Sequence, residues 1–161
     1  IAALPGAAAG AGLSLALGCD LRIAADGAVM TTAFAKVGFS GDYGGTYFLT
    51  RLVGAAKARE LYFLSDKIEM AEAERLGLVN RVVPAAKLMS EALALAKRLA
   101  EGPRVAYRYM KENLNRASSG ATMTDCLDLE ATHHIHCGLT EDHREAAKAF
   151  VEKRAPKFVG R

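Results

Sequence analysis

Two glycine-rich segments hold the residues whose types and spacing could do chemistry. The first, GAAAGAG at residues 6–12, stands between a predicted strand and a predicted helix. Small residues allow a tight turn, and the start of a helix offers free N–H groups with a positive dipole end. Such a turn suits a phosphate or a developing oxyanion. Close packing of backbone on backbone is the alternative that the residues leave open.

The second segment is GFSGDYGGT at residues 38–46, and its one ionisable side chain with catalytic potential is Asp42. An aspartate among glycines before a helix can simply cap that helix. It can also be a carboxylate held at a pocket, where it moves a proton or attacks a carbon. The segment alone does not choose between these two interpretations.

Two further motifs suggest other chemistry only weakly. The first glycine-rich turn, with Tyr107 and Lys111, matches the short motifs of dinucleotide-binding dehydrogenases. A dinucleotide-binding fold should continue with alternating strands and helices, whereas only helices are predicted after residue 102. His133, His134 and His136 look like metal ligands, yet on a helix at most His133 and His136 share a face. The sequence therefore predicts no metal site.

The composition of the chain excludes several classes of function. The chain has 161 residues, 51% of them hydrophobic and 24% charged, with a net charge of +3. These values are globular and exclude a disordered tail, a collagen-like rod, a membrane bundle and, by charge balance, a nucleic-acid role. Three widely spaced cysteines indicate reduced thiols and a cytoplasmic location. Residues 148–161 hold five basic residues and one acid, which are either a solvated helix end or a phosphate contact.

The elements that must position these residues follow from periodicity and breakers. The first half reads as mixed α/β and the second half as nearly all helix. Strands are predicted at residues 1–4, 20–25, 29–32 and 78–83, and helices at 13–18, 55–64, 71–76, 85–101, 104–117, 122–137 and 141–153. The chain is predicted to turn helical from Tyr47 onward. Residues 5–12 and 37–45 are predicted as loops.

Taken together, four stretches resemble the crotonase superfamily of enoyl-CoA hydratases and isomerases. They are IAALPGAAAGAGLSLALGCDLRIAADGAVM, FAKVGFSGDYGGTYFLTRLVG, AERLGLVNRVVP and REAAKAFVEKRAPKF, which occur in family order. The resemblance implies an α/β fold: a ββα spiral, incomplete at its N-terminus, followed by a helical trimerisation region. It divides the chain into residues 1–84 of the spiral core and residues 85–161, which mediate oligomerisation and cap coenzyme A.

The resemblance also implies roles for single residues. Ala11 would donate its backbone N–H to the thioester oxygen, and Asp42 stands where related isomerases and dehalogenases carry a catalytic aspartate. The two water-activating glutamates of hydratases fall on Ser14 and Phe34, neither of which is a base. The implied substrate-binding residues are Gly10, Ala33, Phe34, Gly41 and Lys153, the last of them near the coenzyme A phosphates.

The resulting expectation is an acyl-CoA isomerase that shifts a double bond or opens a ring epoxide, closest to the isomerases of phenylacetyl-CoA breakdown. No cofactor is expected beyond the coenzyme A of the substrate, and a homotrimer or hexamer is the expected assembly. The alternatives are a hydratase-like or other acyl-CoA enzyme, and a non-catalytic acyl-CoA-binding or assembly protein. The start at Ile1 predicts a fragment or processed chain, with the second oxyanion donor on a separate N-terminal segment.

Overall fold

The computed structural model describes all residues, Ile1–Arg161, in two compact units, Ile1–Ala96 and Lys97–Arg161. Strands occur only in the first of these units, and the second unit is helical. The predicted mixture of α/β structure followed by helices is therefore confirmed. The predicted division at residue 84, which concerns roles in a family fold, stays a prediction.

Two small sheets form the frame of the first unit. The strands are β1 Ala2–Leu4, β2 Ala8–Ala9, β3 Arg22–Ala25, β4 Val29–Thr31, β5 Ile68–Glu69 and β6 Arg81–Val83. In one sheet the order is β1–β3–β6, and all pairs are parallel. In the other the order is β2–β4–β5, where β2 runs parallel to β4 and β5 runs antiparallel to it. The segment 5–12, predicted as one loop, thus contains β2, and the predicted strand 78–83 begins only at Arg81.

Helices connect these strands and cover them. Their bounds are α1 Ala11–Leu17, α2 Gly45–Leu64, α3 Met70–Arg75 and α4 Leu88–Ala100, with 3₁₀ turns at Phe34–Val37 and Ala85–Lys87. The helix α2 begins at Gly45, two residues before Tyr47, from which the sequence predicts helical structure. The backbone of Gly54, with φ 77° and ψ 163°, kinks α2 in the middle, just before the helix predicted at residues 55–64.

The core of the first unit combines large and very small apolar side chains. Ile23, Met30, Leu49 and Leu78 are almost fully buried. One charged group, Arg22, is buried among them because its guanidinium donates to the carbonyl oxygens of Leu78 at 2.7 Å, Leu17 at 3.3 Å and Cys19. Burial lowers the pKa of Arg22, and electrostatic interaction with Cys19 and Asp20 partly opposes this shift.

The second unit is built from α5 Arg104–Ser118, α6 Met123–Gly138 and α7 Glu141–Val151, close to the predicted bounds. Thr122 and Asp125 form a capping box that starts α6. The buried Asp142 carboxylate accepts from the backbone N–H groups of Val159 and Gly160, which holds the C-terminal tail against α7. None of the helices combines the length and apolar character that crossing a membrane requires.

Candidate active site

The first glycine-rich segment forms a fixed turn between β2 and α1. Gly10 has φ 52° and ψ −121°, a conformation that favours glycine. Its N–H donates to the Thr31 carbonyl at 3.1 Å, and its carbonyl accepts from the Ser14 N–H at 3.0 Å. Ala11 is the first residue of α1, so its half-buried N–H has no acceptor within the helix. This amide can therefore donate to a ligand oxygen, and the role that the resemblance implies for it stays a prediction.

Phe34 closes one side of this turn. A Cβ added at Gly10 would lie 3.7 Å from two atoms of the buried Phe34 ring. The ring is placed by the left-handed backbone of Ala33, with φ 60°, at the start of its 3₁₀ turn. The structure therefore brings Gly10, Ala33 and Phe34 together around the amide of Ala11, whereas their roles toward a substrate stay predictions.

The second glycine-rich segment is a loop of left-handed residues in front of α2. Positive φ angles occur at Gly41 (118°), Tyr43 (46°) and Gly44 (74°). Gly44 is the N-cap of α2, and no side chain caps that helix. The interpretation of Asp42 as a helix cap is therefore wrong. Its exposed carboxylate makes no hydrogen bond or ion pair, so it is available to exchange a proton.

Sequence reasoning missed Tyr62, which joins the two segments. Its ring stacks on Phe34, with centroids 6.0 Å apart and 7° between planes, and its hydroxyl and that of Ser14 both lie beside Gly45. A Cβ added at Gly45 would fall 2.5 Å from Tyr62 Oη and nearer still to Ser14 Oγ. A Cβ at Gly41 would lie 3.1 Å from the same ring. The phenol thus lies between the amide turn and the Asp42 loop.

The environment of Tyr62 keeps its phenol protonated near neutral pH. Burial raises the pKa of Tyr62, the charge of Asp42 raises it further, and the interaction with the Ser14 hydroxyl opposes both. The Asp42 carboxylate disfavours ionisation of the phenol and forms no hydrogen bond with it. The site therefore combines a neutral phenol with a free carboxylate.

A buried hydroxyl network fixes the end of α2 that carries Tyr62. Ser65 ends α2 in a left-handed conformation, with φ 51°, and its side chain is fully buried. Its Oγ donates to the Tyr62 carbonyl at 3.1 Å and lies 2.9 Å from Thr32 Oγ1. The Ala35 N–H donates to the same Ser65 oxygen at 3.3 Å. This network ties Tyr62 to the turn that carries Phe34.

A cavity of about 240 Å³ adjoins Tyr62 between the Asp42 loop and the second half of α2. Its walls combine hydroxyl groups, alanines and one guanidinium: Ser40, Thr46, Thr50, Ala55, Ala58, Arg59, Tyr62 and Phe63. The cavity gives room for a small group beside the phenol.

In the second unit, acids pair with part of the basic C-terminal cluster. Arg154 bonds Glu145 at 2.6 Å and Glu152 at 2.6 Å, and Arg161 lies 3.1 Å from Glu141. Lys153 is exposed, with φ 54°, and its predicted contact with phosphates stays a prediction.

The histidines of α6 serve packing. His133 stacks on Tyr109, with centroids 4.2 Å apart, and its Nδ1 lies 2.6 Å from Asn113 Oδ1. His136 contacts the same Tyr109 ring, at 5.7 Å, so these two histidines share a face as predicted. No group of three or more His, Cys, Asp or Glu side chains in the structure is arranged to hold a metal ion.

Comparisons with known proteins place this geometry in context. A sequence model of the family described as Enoyl-CoA hydratase/isomerase matches residues 1–161. A Rhodobacter capsulatus protein named "Probable enoyl-CoA hydratase" is 40% identical over 100% of this chain and 62% of its own length. The 1,2-epoxyphenylacetyl-CoA isomerase of Escherichia coli K12 is 38% identical over 100% of this chain and 61% of its own.

The solved structure of an enoyl-CoA hydratase from Polaromonas sp. JS666 superposes with a TM-score of 0.91 at 38% identity, covering 96% of this chain and 60% of that one. This match confirms the predicted crotonase fold class with its helical C-terminal region. The chain spans 61–62% of the length of the two sequence relatives described above.

Proposed function

The chain belongs to the enoyl-CoA hydratase/isomerase family, and we propose that it serves as an acyl-CoA isomerase in which Asp42 transfers the proton. The observation that carries this proposal is the Asp42 carboxylate, which is exposed and makes no hydrogen bond or ion pair. Asp42 lies on a loop in which Gly41, Tyr43 and Gly44 have positive φ angles. At the two positions that the resemblance assigns to hydratase glutamates, the chain has Ser14 and Phe34. Neither side chain can take a proton from water at neutral pH.

The proposed reaction has two proton transfers. The thioester carbonyl accepts a hydrogen bond from the Ala11 N–H, which stabilises negative charge on its oxygen. Asp42 takes a proton from a carbon of the acyl chain, and the C–H electron pair moves toward the thioester to give an enolate. The protonated Asp42 then returns the proton to a different carbon, so the double bond moves with no net gain or loss of atoms. Both steps need only a carboxylate and hydrogen-bond donors.

The test follows proton exchange and binding separately. The 161-residue chain is incubated with 3-enoyl-CoA in D₂O, and deuterium uptake and product mass are measured. Replacing the base with Asp42→Asn should lower the exchange rate by about 10²-fold or more. The dissociation constant of the thioester, measured by calorimetry, should change by less than about threefold. Asp66→Asn, which alters another exposed aspartate of the same unit, is the matched control and should exchange normally.

Each other outcome favours a specific alternative. If Asp42→Asn keeps its exchange rate, Asp42 is not the base. A product heavier by one water would show a hydratase, which the name of the Rhodobacter capsulatus relative makes the second candidate. Tight thioester binding without any deuterium uptake in the unaltered chain would show a non-catalytic acyl-CoA-binding protein.

A further inference from the structure

The cavity along the second half of α2 contains a guanidinium that has no partner in the chain. Arg59 lies about one helical turn before Tyr62, and its side chain lines the cavity without a hydrogen bond or an ion pair. Arg75 of the same unit, by contrast, bonds Glu72 at 2.6 Å. Because an arginine stays charged at all physiological pH values, this wall of the cavity carries a fixed positive charge.

The rest of the cavity wall supplies hydroxyl groups and no acid. Ser40, Thr46 and Thr50 line the cavity, and none of their hydroxyl groups bonds to another group of the chain. No aspartate or glutamate is among the lining residues. The acid that follows the free guanidinium in sequence, Glu60, accepts from Lys57 Nζ at 2.8 Å. A positive charge beside free hydroxyl donors, without a competing acid, suits a bound anion.

The charge and the size of the cavity favour a carboxylate over a larger anion. A planar guanidinium matches a carboxylate or a phosphate with two parallel hydrogen bonds. One guanidinium balances a carboxylate, whereas a phosphate monoester carries a charge of about −1.5 to −2 near neutral pH. Asp42, which acts electrostatically on Tyr62 in the cavity wall, further disfavours a doubly charged group. The volume of about 240 Å³ and the apolar walls of Ala55, Ala58 and Phe63 leave room for a carboxylate with a few carbon atoms.

We infer that this cavity is a binding site for a carboxylate group, with Arg59 as its anchor. The guanidinium donates to the carboxylate oxygens, and the hydroxyl groups of Thr46 and Thr50 donate beside it. The carboxylate belongs either to a small free acid or to the far end of a dicarboxylic acyl thioester. Only the second source rests on the proposed function, so the site can be tested with and without coenzyme A.

Two pairs of ligands test the site in the full chain without requiring turnover. Glutarate is compared with glutaramide by NMR titration, and glutaryl-CoA is compared with pentanoyl-CoA by calorimetry. In at least one pair, the ligand with the free carboxylate should bind about ten times more tightly, as one charge-assisted hydrogen bond provides. Arg59→Gln should abolish this preference and bind pentanoyl-CoA within about twofold of the unaltered chain. Thr50→Val, which keeps the guanidinium, should reduce the preference by about threefold.

Arg51→Gln is the matched control, because it removes a guanidinium from the same helix that does not line the cavity, and it should keep the preference. A preference in the thioester pair alone supports the site with the acyl chain as the source, and one in the glutarate pair alone supports it with a free acid. The inference is overturned if neither pair shows a preference, if Arg59→Gln keeps it, or if Arg51→Gln loses it equally. If neither thioester binds, the proposed function fails, and the glutarate pair alone then decides the inference.

Discussion

Gly45 lies where two hydroxyl groups converge, and this predicts an unusual response to a single methyl group. In a helix, Gly→Ala ordinarily stabilises by about 0.5–1 kcal/mol because the chain loses less entropy on folding. At Gly45 the new Cβ would fall 2.5 Å from Tyr62 Oη and nearer still to Ser14 Oγ, a spacing that real Cβ atoms do not tolerate. Overpacking of this kind costs about 1–3 kcal/mol.

The perturbation also displaces both hydroxyl groups. To admit the methyl group, the side chains of Ser14 and Tyr62 must shift away from it. After subtracting the helix gain, Gly45→Ala should lower the free energy of unfolding by up to about 2.5 kcal/mol. The matched control is Gly12→Ala in α1, where a Cβ meets nothing within 4 Å, so stability should rise by about 0.5–1 kcal/mol.

Urea unfolding followed by circular dichroism measures both changes, with the midpoint reporting stability at constant slope. In a second step, Gly45→Ala is introduced together with Ser14→Ala, which removes the oxygen nearest to the new methyl group. The double variant should cost about 1 kcal/mol less than the sum of the two single variants. If Gly45→Ala stabilises the chain as Gly12→Ala does, the two hydroxyls do not converge at Gly45, and the description of the site is wrong.

Two further predictions concern charged groups. Arg154 holds the pKa of Glu145 at about 2, so this carboxylate stabilises the fold above pH 4.5, and the stabilisation is lost as the pH falls toward 2. Glu145→Gln should therefore flatten the decline of the thermal unfolding midpoint between pH 4.5 and pH 2. An unchanged decline would exclude the Arg154–Glu145 pair as a source of this acid sensitivity. Arg22→Met leaves buried carbonyl oxygens, including that of Leu78, without a donor, and it should lower the free energy of unfolding in urea by about 2–4 kcal/mol. Arg75→Met at the surface should lower it by less than about 0.5 kcal/mol. Equal losses in the two variants would contradict the structural role of the buried Arg22.

The sequence predicted the helices well where breakers and periodicity act over short distances. The helix predicted at 104–117 is observed at Arg104–Ser118, because Gly102 and Pro103 interrupt the chain just before it. The start of α2 was predicted at Tyr47 and lies two residues earlier, at Gly45. Two consecutive glycines indicated a loop, yet Gly45 is helical because only a residue without a Cβ fits beside the Ser14 and Tyr62 hydroxyls.

The same distinction applies to the site. The two glycine-rich segments and Asp42 were singled out from local patterns, since special backbone angles and helix starts leave a signature in glycines and small residues. The roles of Gly10 and Ala11 followed from the family resemblance. Tyr62 was not found, because it is 48 positions from Ser14 and its neighbours in sequence, Leu61 and Phe63, are those of an ordinary apolar helix. The contact depends on the kink at Gly54 and on how Ser65 ends α2. Neither can be read from spacing alone.

The departures from the hydratase pattern are coupled through Tyr62. Ser14 and Phe34 stand at the positions that the resemblance assigns to the two glutamates, and each contacts Tyr62, one through its hydroxyl and the other through its ring. A glutamate at position 14 would bring a carboxylate against that phenol and against Gly45. Tyr62 therefore contacts both positions at which the resemblance expects a water-activating glutamate. This contact is the structural reason why the proposed function assigns the proton transfer to Asp42 and not to positions 14 and 34.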